Sequence, residues 1–119
     1  MKDSKAKPPK ADIDNVYTLS YNEKSKQHYE WDPLKNRKNF KQHSIWFDEA
    51  QTIWTDPRAI EFFDEEHSEN EDRYIRIGRT TRSKVLLVVY CEREDGKVIR
   101  IISARKATPK ERRDYEKGI

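Results

Sequence analysis

The chain has 119 residues and a formal net charge of +3, with 25 basic and 22 acidic side chains. Charged residues make up 39% and hydrophobic residues 34%, so a core drawn from the whole chain would be thin. No apolar run reaches the length of a membrane span, and the N-terminus lacks the apolar centre of a secretory signal. We therefore expect a cytoplasmic protein with no membrane partner.

Charge is segregated along the chain. Residues 1–43 carry a net +4 and residues 44–72 a net −9, whereas residues 73–96 and 97–119 carry +3 and +5. The basic ends favour a polyanion as partner, and the acidic middle permits a basic partner. The plain alternative is that both are solvated faces, which is the common role of charge runs.

The first 26 residues are rich in lysine, contain Pro8-Pro9 and have few apolar side chains. A segment of this composition buries too little surface to offset the entropy lost on ordering. We therefore predict a flexible lysine-rich tail over residues 1–26 and one folded domain over residues 27–119.

A short strand at residues 28–31 and two helices open this domain. Asp32 is a candidate N-cap with Pro33 at the first helical position, which predicts a helix to about His43. One face of this helix is polar for a core contact and carries Asn36, Asn39, Phe40 and His43. A second helix is predicted over residues 47–54, because acidic residues fill its first turn and large apolar side chains share one face.

The second half of the domain is predicted to be mainly β-sheet. Strands are predicted at about residues 59–63, 73–78, 84–92 and 97–104, with the acidic stretch 64–72 as a loop. Asp95-Gly96 predicts a hairpin between the last two strands, since both positions tolerate positive φ. Thr108, Pro109 and Glu111 indicate a capping box that opens a final helix. The order predicts an α+β domain, with a small antiparallel sheet, two N-terminal helices packed on it and a C-terminal helix.

Several kinds of site lack support in the sequence. The histidines His28, His43 and His67 have no metal-ligand spacing, and the glycines form no phosphate-binding loop. Cys91 lies in an apolar run and is expected to be a small core residue. We therefore expect neither a metal nor a cofactor. The chemistry that remains is acid–base cleavage of a phosphodiester such as RNA.

Such cleavage needs a base for the 2′-hydroxyl, cations for the phosphate and an acid for the leaving oxygen. Arg100 and Arg105, supported by Arg73, are the candidate phosphate ligands, because guanidinium binds phosphate through paired hydrogen bonds. The candidate proton carriers are His67, Glu71 and His43. The alternative roles are structural: Arg100 would pair with a carboxylate, and His43 would cap or pack the first helix.

Motifs spread over residues 29–115 together resemble the BrnT family of toxins from bacterial toxin–antitoxin pairs. They include Glu30-Trp31-Asp32-Pro33, Phe47-Asp48-Glu49-Ala50, His67-Ser68-Glu69, Ile77-Gly78 and Arg100-Ile101-Ile102-Ser103-Ala104-Arg105. Two positions depart from the family pattern: Ser44 stands where glycine is usual, and Trp46 stands where a small capping residue is usual. A left-handed backbone at Ser44 would carry a modest conformational cost.

The resemblance implies a compact RelE-like fold and a metal-independent endoribonuclease that cleaves RNA and inhibits translation. It also implies a BrnA-like antitoxin with a DNA-binding ribbon–helix–helix domain, so that operator DNA would be bound only through the toxin–antitoxin complex. The alternative is a non-catalytic RNA- or protein-binding module on the same fold. A repressor that binds DNA alone is disfavoured, since the sequence has no recognition-helix pattern.

Overall fold

A computed structural model describes residues 17–119, which form a six-stranded sheet with helices on both faces. The strands are β1 (Thr18–Asn22), β2 (Gln27–Trp31), β3 (Ile60–Phe63), β4 (Tyr74–Arg79), β5 (Val85–Arg93) and β6 (Val98–Lys106). The helices are α1 (Pro33–His43), α2 (Phe47–Ala50), extended by a 3-10 turn at Gln51–Thr55, and α3 (Pro109–Lys117). The predicted α+β class is confirmed. Within residues 17–119, no helix is long and apolar enough to cross a membrane.

The sheet is mixed, which corrects the predicted antiparallel sheet. Its strand order is β1-β2-β6-β5-β4-β3. β5 and β6 form the predicted hairpin, with Asp95 and Gly96 at φ 58° and 84° in its turn. β2, however, runs parallel to Val98–Arg100 of β6. A turn signal specifies only a neighbour in sequence, whereas this parallel pair is joined by a crossover that contains α1, α2 and three strands.

β1 corrects the predicted boundary of the tail. Its residues Thr18–Asn22 fall inside the segment assigned to the tail, yet they pair antiparallel with β2. The Asn22 side chain also accepts hydrogen bonds from the N–H groups of Lys24 and Ser25, which holds the turn between the two strands. An edge strand is stabilised by ladder hydrogen bonds and needs little apolar burial, so its composition did not reveal it. The remainder of the predicted tail, residues 1–16, lies outside the described residues.

α1 covers the edge of β6 that β2 leaves open. β2 pairs with β6 only as far as Arg100. Beyond Arg100, the buried side-chain amide of Asn39 forms hydrogen bonds with the backbone of β6. Its nitrogen donates to the carbonyls of Ile45 and Ala104, both at 2.9 Å, and its oxygen accepts from the N–H of Ala104 at 3.1 Å. The polar face of α1 is therefore a backbone-binding face, which explains why it lacks the expected apolar stripe.

Two apolar clusters lie on opposite faces of the sheet. On one face, the segment from α1 to the 3-10 turn packs on β2, β6 and β5 through a large cluster that includes Tyr29, Trp31, Ile45, Phe47, Ile53, Leu86, Val88, Tyr90 and Ile101. On the other face, α3 buries Tyr115 against Ile77, Val85 and Leu87. The second cluster is small, so part of this face stays open to solvent. The candidate site lies in that open part.

Candidate active site

An open cleft of about 550 Å³ lies on the half-covered face of the sheet. Its lining residues are His43, Phe62, Asp64, Glu66, His67, Arg73, Ile75, Leu87, Val89, Ser103, Ala104, Arg105 and Glu111. The floor is a row of residues paired across four strands, in the order Phe62, Ile75, Val89, Ser103. Three strand spacings make this row roughly 14 Å wide. Titratable and cationic side chains surround the floor.

His67 lies at the β3 end of the cleft and is oriented by Asp64. The Asp64 carboxylate oxygens lie 3.0 and 3.2 Å from Nδ1 of His67. The loop that carries both is closed by Ser68, whose hydroxyl donates to the Asp64 carbonyl at 2.6 Å and accepts from the Arg73 N–H at 2.9 Å. With Nδ1 held by a carboxylate, Nε2 is the nitrogen available for proton transfer. Asp64 is absent from the residues predicted for the site, although the Asp-x-x-His spacing after a strand was visible.

Arg105 lies at the β6 end of the cleft and forms a two-bond ion pair with Glu111 of α3. Its Nη1 and Nη2 donate to the Glu111 carboxylate at 2.9 and 3.0 Å. Glu111 also accepts from the Thr108 N–H in the capping box, which confirms the predicted start of α3. The Arg105 hydrogen bonds lower the pKa of Glu111 to about 2, and the same bonds raise the pKa of Arg105. Arg105, a candidate phosphate ligand, is therefore bound to α3 through Glu111.

The Glu111 pair leaves one edge of the Arg105 guanidinium open. Of the five N–H donors of arginine, two bind Glu111 and a third, on Nη1, binds the Lys106 carbonyl at 3.2 Å. The Nε–H and the second Nη2–H have no partner within residues 17–119. These two hydrogens point in parallel from one side of the planar group, in the arrangement that binds two phosphate oxygens.

Arg73 and His43 complete the ring of polar groups. Arg73 precedes β4 and makes no ion pair with any carboxylate in the described part of the chain, so its charge is not neutralised there. His43 is the last residue of α1 and is exposed. It reaches the cleft because α1 lies along the open edge of β6. Two imidazoles and two guanidiniums thus line one cleft, and these belong to four of the candidate site residues, His43, His67, Arg73 and Arg105.

Two predicted site residues lie outside this cleft. Arg100 pairs with Glu30 of β2 and contacts the Tyr17 ring at 4.3 Å. A bulge in β6 opposite Val89 and Tyr90 puts Arg100 and Arg105 on the same face, but roughly 13 Å apart at about 3.3 Å per residue along β5. The expected cluster of these two arginines is therefore wrong, because the parallel pairing with β2 supplies Arg100 with its own carboxylate.

Glu71 is likewise tied to another residue. Its carboxylate pairs with Arg93 at 2.9 Å, and it lines a neighbouring depression rather than the cleft that holds Arg105. Cys91 is fully buried, as predicted for a core residue, and burial raises the pKa of its thiol. Among residues 17–119, no group of three or more His, Cys, Asp or Glu side chains is arranged to hold a metal ion.

Comparison with known proteins identifies the class to which this fold and cleft belong. A family model described as the ribonuclease toxin BrnT of type II toxin–antitoxin systems matches residues 31–111. Since the match covers more than half of the chain, the chain belongs to the BrnT family of ribonuclease toxins. The prediction of an endoribonuclease toxin of a toxin–antitoxin system is thereby confirmed.

A solved structure supports the fold. The chain is similar to the Brucella abortus ribonuclease toxin BrnT, known from a crystal structure at 1.1 Å resolution, with a TM-score of 0.50 and 21% identity. The alignment covers 66% of this chain and 92% of that chain. At this identity the likeness concerns the fold alone. Among curated proteins, none matches the chain significantly.

Proposed function

We propose that this toxin cleaves RNA in the cleft by metal-independent acid–base catalysis. The single observation that carries the proposal is the convergence of His67, Arg73 and Arg105 on one open cleft, with the Asp64 carboxylate holding the imidazole of His67. The apolar floor suits a base or ribose, and the cations at its margins suit the phosphate. These are the groups that phosphodiester cleavage requires.

The two arginines act on the phosphate. Negative charge gathers on the non-bridging oxygens in the transition state, and fixed cationic donors that face those oxygens lower the barrier. Arg105 offers the parallel Nε–H and Nη2–H pair, and its adjacent Nη1/Nη2 edge is held by Glu111. Arg73 adds a second positive charge. Preorganisation by Glu111 means that no side-chain rearrangement is needed when phosphate binds.

His67 moves the proton. Its imidazole accepts the proton of the 2′-hydroxyl, whose oxygen then attacks phosphorus, and returns it to the leaving 5′-oxygen, so that the cyclic phosphate and the free 5′-hydroxyl form with protons balanced. Imidazole suits both roles near neutral pH. His67 is held by Asp64, whereas His43 lies on the opposite side of the four-strand floor, where it can contact a neighbouring part of the RNA strand. Because these side chains supply every proton and charge required, the mechanism needs no metal.

The biological setting follows from the family. We propose that RNA cleavage inhibits translation in the cytoplasm and that a BrnA-like antitoxin neutralises the toxin. Operator DNA would be bound through the ribbon–helix–helix domain of that antitoxin, within the complex. We also propose that the fold is RelE-like, and the α+β architecture, a sheet with helices on both faces, supports this.

The test combines expression in cells with cleavage by purified protein. Induced alone, the toxin should arrest growth with loss of cellular RNA, and co-expression with the antitoxin gene should restore both. The purified chain should cleave single-stranded RNA in the presence of EDTA. His67→Ala should reduce the rate at least about 100-fold, as for a lost acid–base group. Glu71→Gln, outside the cleft, is the matched control and should stay near wild type.

Other outcomes separate the alternatives. Growth arrest with intact RNA would indicate a non-catalytic binding module on the same fold. Equal loss of activity in His67→Ala and Glu71→Gln would place the reaction outside this cleft. Cleavage abolished by EDTA and restored by a divalent cation would overturn the metal-independent mechanism.

A further inference from the structure

A pair of exposed aromatic side chains lies beside the cleft. Phe40 of α1 and Trp46, directly before α2, stack with ring centroids 4.2 Å apart and 12° between their planes. They are 38% and 42% exposed, although large aromatic side chains usually bury most of their surface. They line an open cleft of about 470 Å³ with Arg37, Lys38 and Lys41. We call these five residues the aromatic platform.

The local backbone places Trp46 on the aromatic platform. The Trp46 side chain does not cap α2. Ser44 has φ 60° and ψ 28°, as its position in the family pattern suggested, and this left-handed residue ends α1. The chain then buries Ile45 and leaves Trp46 outside. Trp46 is the N-cap of α2 but makes no side-chain capping bond. Asn36 supplies one instead, by accepting from the Phe47 N–H at 2.8 Å.

The charges on the platform are all positive. Arg37, Lys38 and Lys41 are exposed, and none of them pairs with a carboxylate in the described part of the chain. Cations around exposed aromatic rings match single-stranded nucleic acid, in which every unpaired base has a face for stacking and every linkage carries a negative charge. Because one face of each ring is covered by the other ring, a base would extend the stack on a remaining open face.

The platform is continuous with the cleft through α1. Phe40 lies three residues before His43, so their Cβ atoms are about 5–6 Å apart on the same helix face. His43 lines the cleft, and Phe40 lines the platform. An RNA strand that leaves the cleft over the last turn of α1 therefore reaches the platform directly.

We propose that the aromatic platform is a binding subsite for an unpaired nucleotide of the RNA substrate, next to the nucleotides held in the cleft. The inference rests on the proposed RNA cleavage in that cleft. Phe40 and Trp46 stack on the base, and the three cations contact the flanking phosphates. The platform thereby favours single-stranded substrates that extend past the cleft over those that only fill it.

Binding to an uncleavable probe tests the subsite separately from catalysis. The probe is a single-stranded 2′-O-methyl oligonucleotide, which lacks the attacking hydroxyl, and the protein is the full chain. Trp46→Ala should weaken binding about 5- to 100-fold, as for loss of one stacked base, whereas Trp46→Phe should bind within a few-fold of wild type. Tyr21→Ala removes another exposed aromatic, on β1, and is the matched control that should not change affinity.

Two further measurements accompany this comparison. Lys41→Ala should lower the dependence of log affinity on log salt by about one, as for one lost phosphate contact. Bound probe should quench tryptophan fluorescence. The Trp46→Phe variant should lose most of that quenching, because Trp31 is buried and the partly buried Trp54 packs against Tyr29 and Tyr90. Thermal unfolding of each variant shows that the binding assays are made on folded protein.

The outcomes distinguish the subsite from the proposed function. If wild type cleaves ordinary RNA but Trp46→Ala binds the probe as tightly as wild type, the subsite is wrong and the catalytic proposal stands. If wild type neither binds nor cleaves RNA, both are wrong. If Trp46→Ala keeps RNA affinity but loses affinity for the antitoxin, the platform is a protein interface and the subsite is overturned.

Discussion

The Arg105–Glu111 pair permits a sharp separation of catalysis from stability. Arg105→Ala removes both the ion pair and the candidate phosphate ligand. Glu111→Gln removes the ion pair but keeps an oxygen that can accept from the Thr108 N–H in the capping box. Both variants lose the charge–charge contact between β6 and α3, and only the first loses the guanidinium. Any difference in activity therefore belongs to the guanidinium itself.

The effect on stability can be estimated from the pair. The pKa of Glu111 falls from 4.5 to about 2, which at about 1.4 kcal/mol per pKa unit would correspond to roughly 3 kcal/mol without screening. The Arg105 side chain, however, is 39% exposed, and exposed pairs contribute only about 0.2–1 kcal/mol. We therefore expect each variant to lose about 1 kcal/mol of unfolding free energy, measured by denaturant titration.

The effect on activity should differ between the two variants. Loss of a preorganised donor to the transition-state charge reduces turnover about 100- to 1000-fold, so Arg105→Ala should reach that range in a single-turnover cleavage assay. The turnover of Glu111→Gln should stay within about tenfold of wild type, since this variant keeps the positively charged guanidinium of Arg105. Equal loss of activity in both variants would refute the reasoning, because Arg105 would then serve only to hold α3.

Three further predictions concern pH and folding. Because the pKa of Glu111 is lower in the folded state, its contribution to the free energy of unfolding is fully present above pH 4.5 and is lost as the pH falls towards about 2. The stability difference between wild type and Glu111→Gln, measured by denaturation at a series of pH values, should therefore shrink between pH 4.5 and about 2. Asn39→Ala should cost about 2–4 kcal/mol, since it leaves buried backbone groups of Ala104 without partners, whereas the exposed control Lys35→Ala should change stability by less than about 0.5 kcal/mol. Ser44→Gly should raise stability by about 0.5–1 kcal/mol by removing left-handed strain, and a lower melting temperature would contradict it.

Local signals in the sequence predicted the elements that depend on neighbouring residues. Asp32 caps α1, accepting from the Leu34 N–H at 2.8 Å, and Asp95 begins the Asp-Gly dipeptide in the β5–β6 turn. The capping box of α3 formed as the motif indicated. The second helix was predicted too long: regular α-helix ends at Ala50 and a 3-10 turn follows. In each correct case the stabilising hydrogen bonds join residues only a few positions apart.

Long-range pairing decided the composition of the candidate site. The parallel contact of β2 with β6 gave Arg100 its carboxylate partner, and the bulge in β6 turned Arg105 towards the cleft. The Asp64–His67 pair, by contrast, is local, because the loop after β3 closes on itself through Ser68. The sequence alone therefore determined which residue types are available for RNA cleavage. Which of these residues come into contact was set by strand register and by packing between distant segments. Register and packing depend on the whole fold, because the backbone groups of a strand edge can pair with any strand, and burial of the surrounding side chains selects the partner.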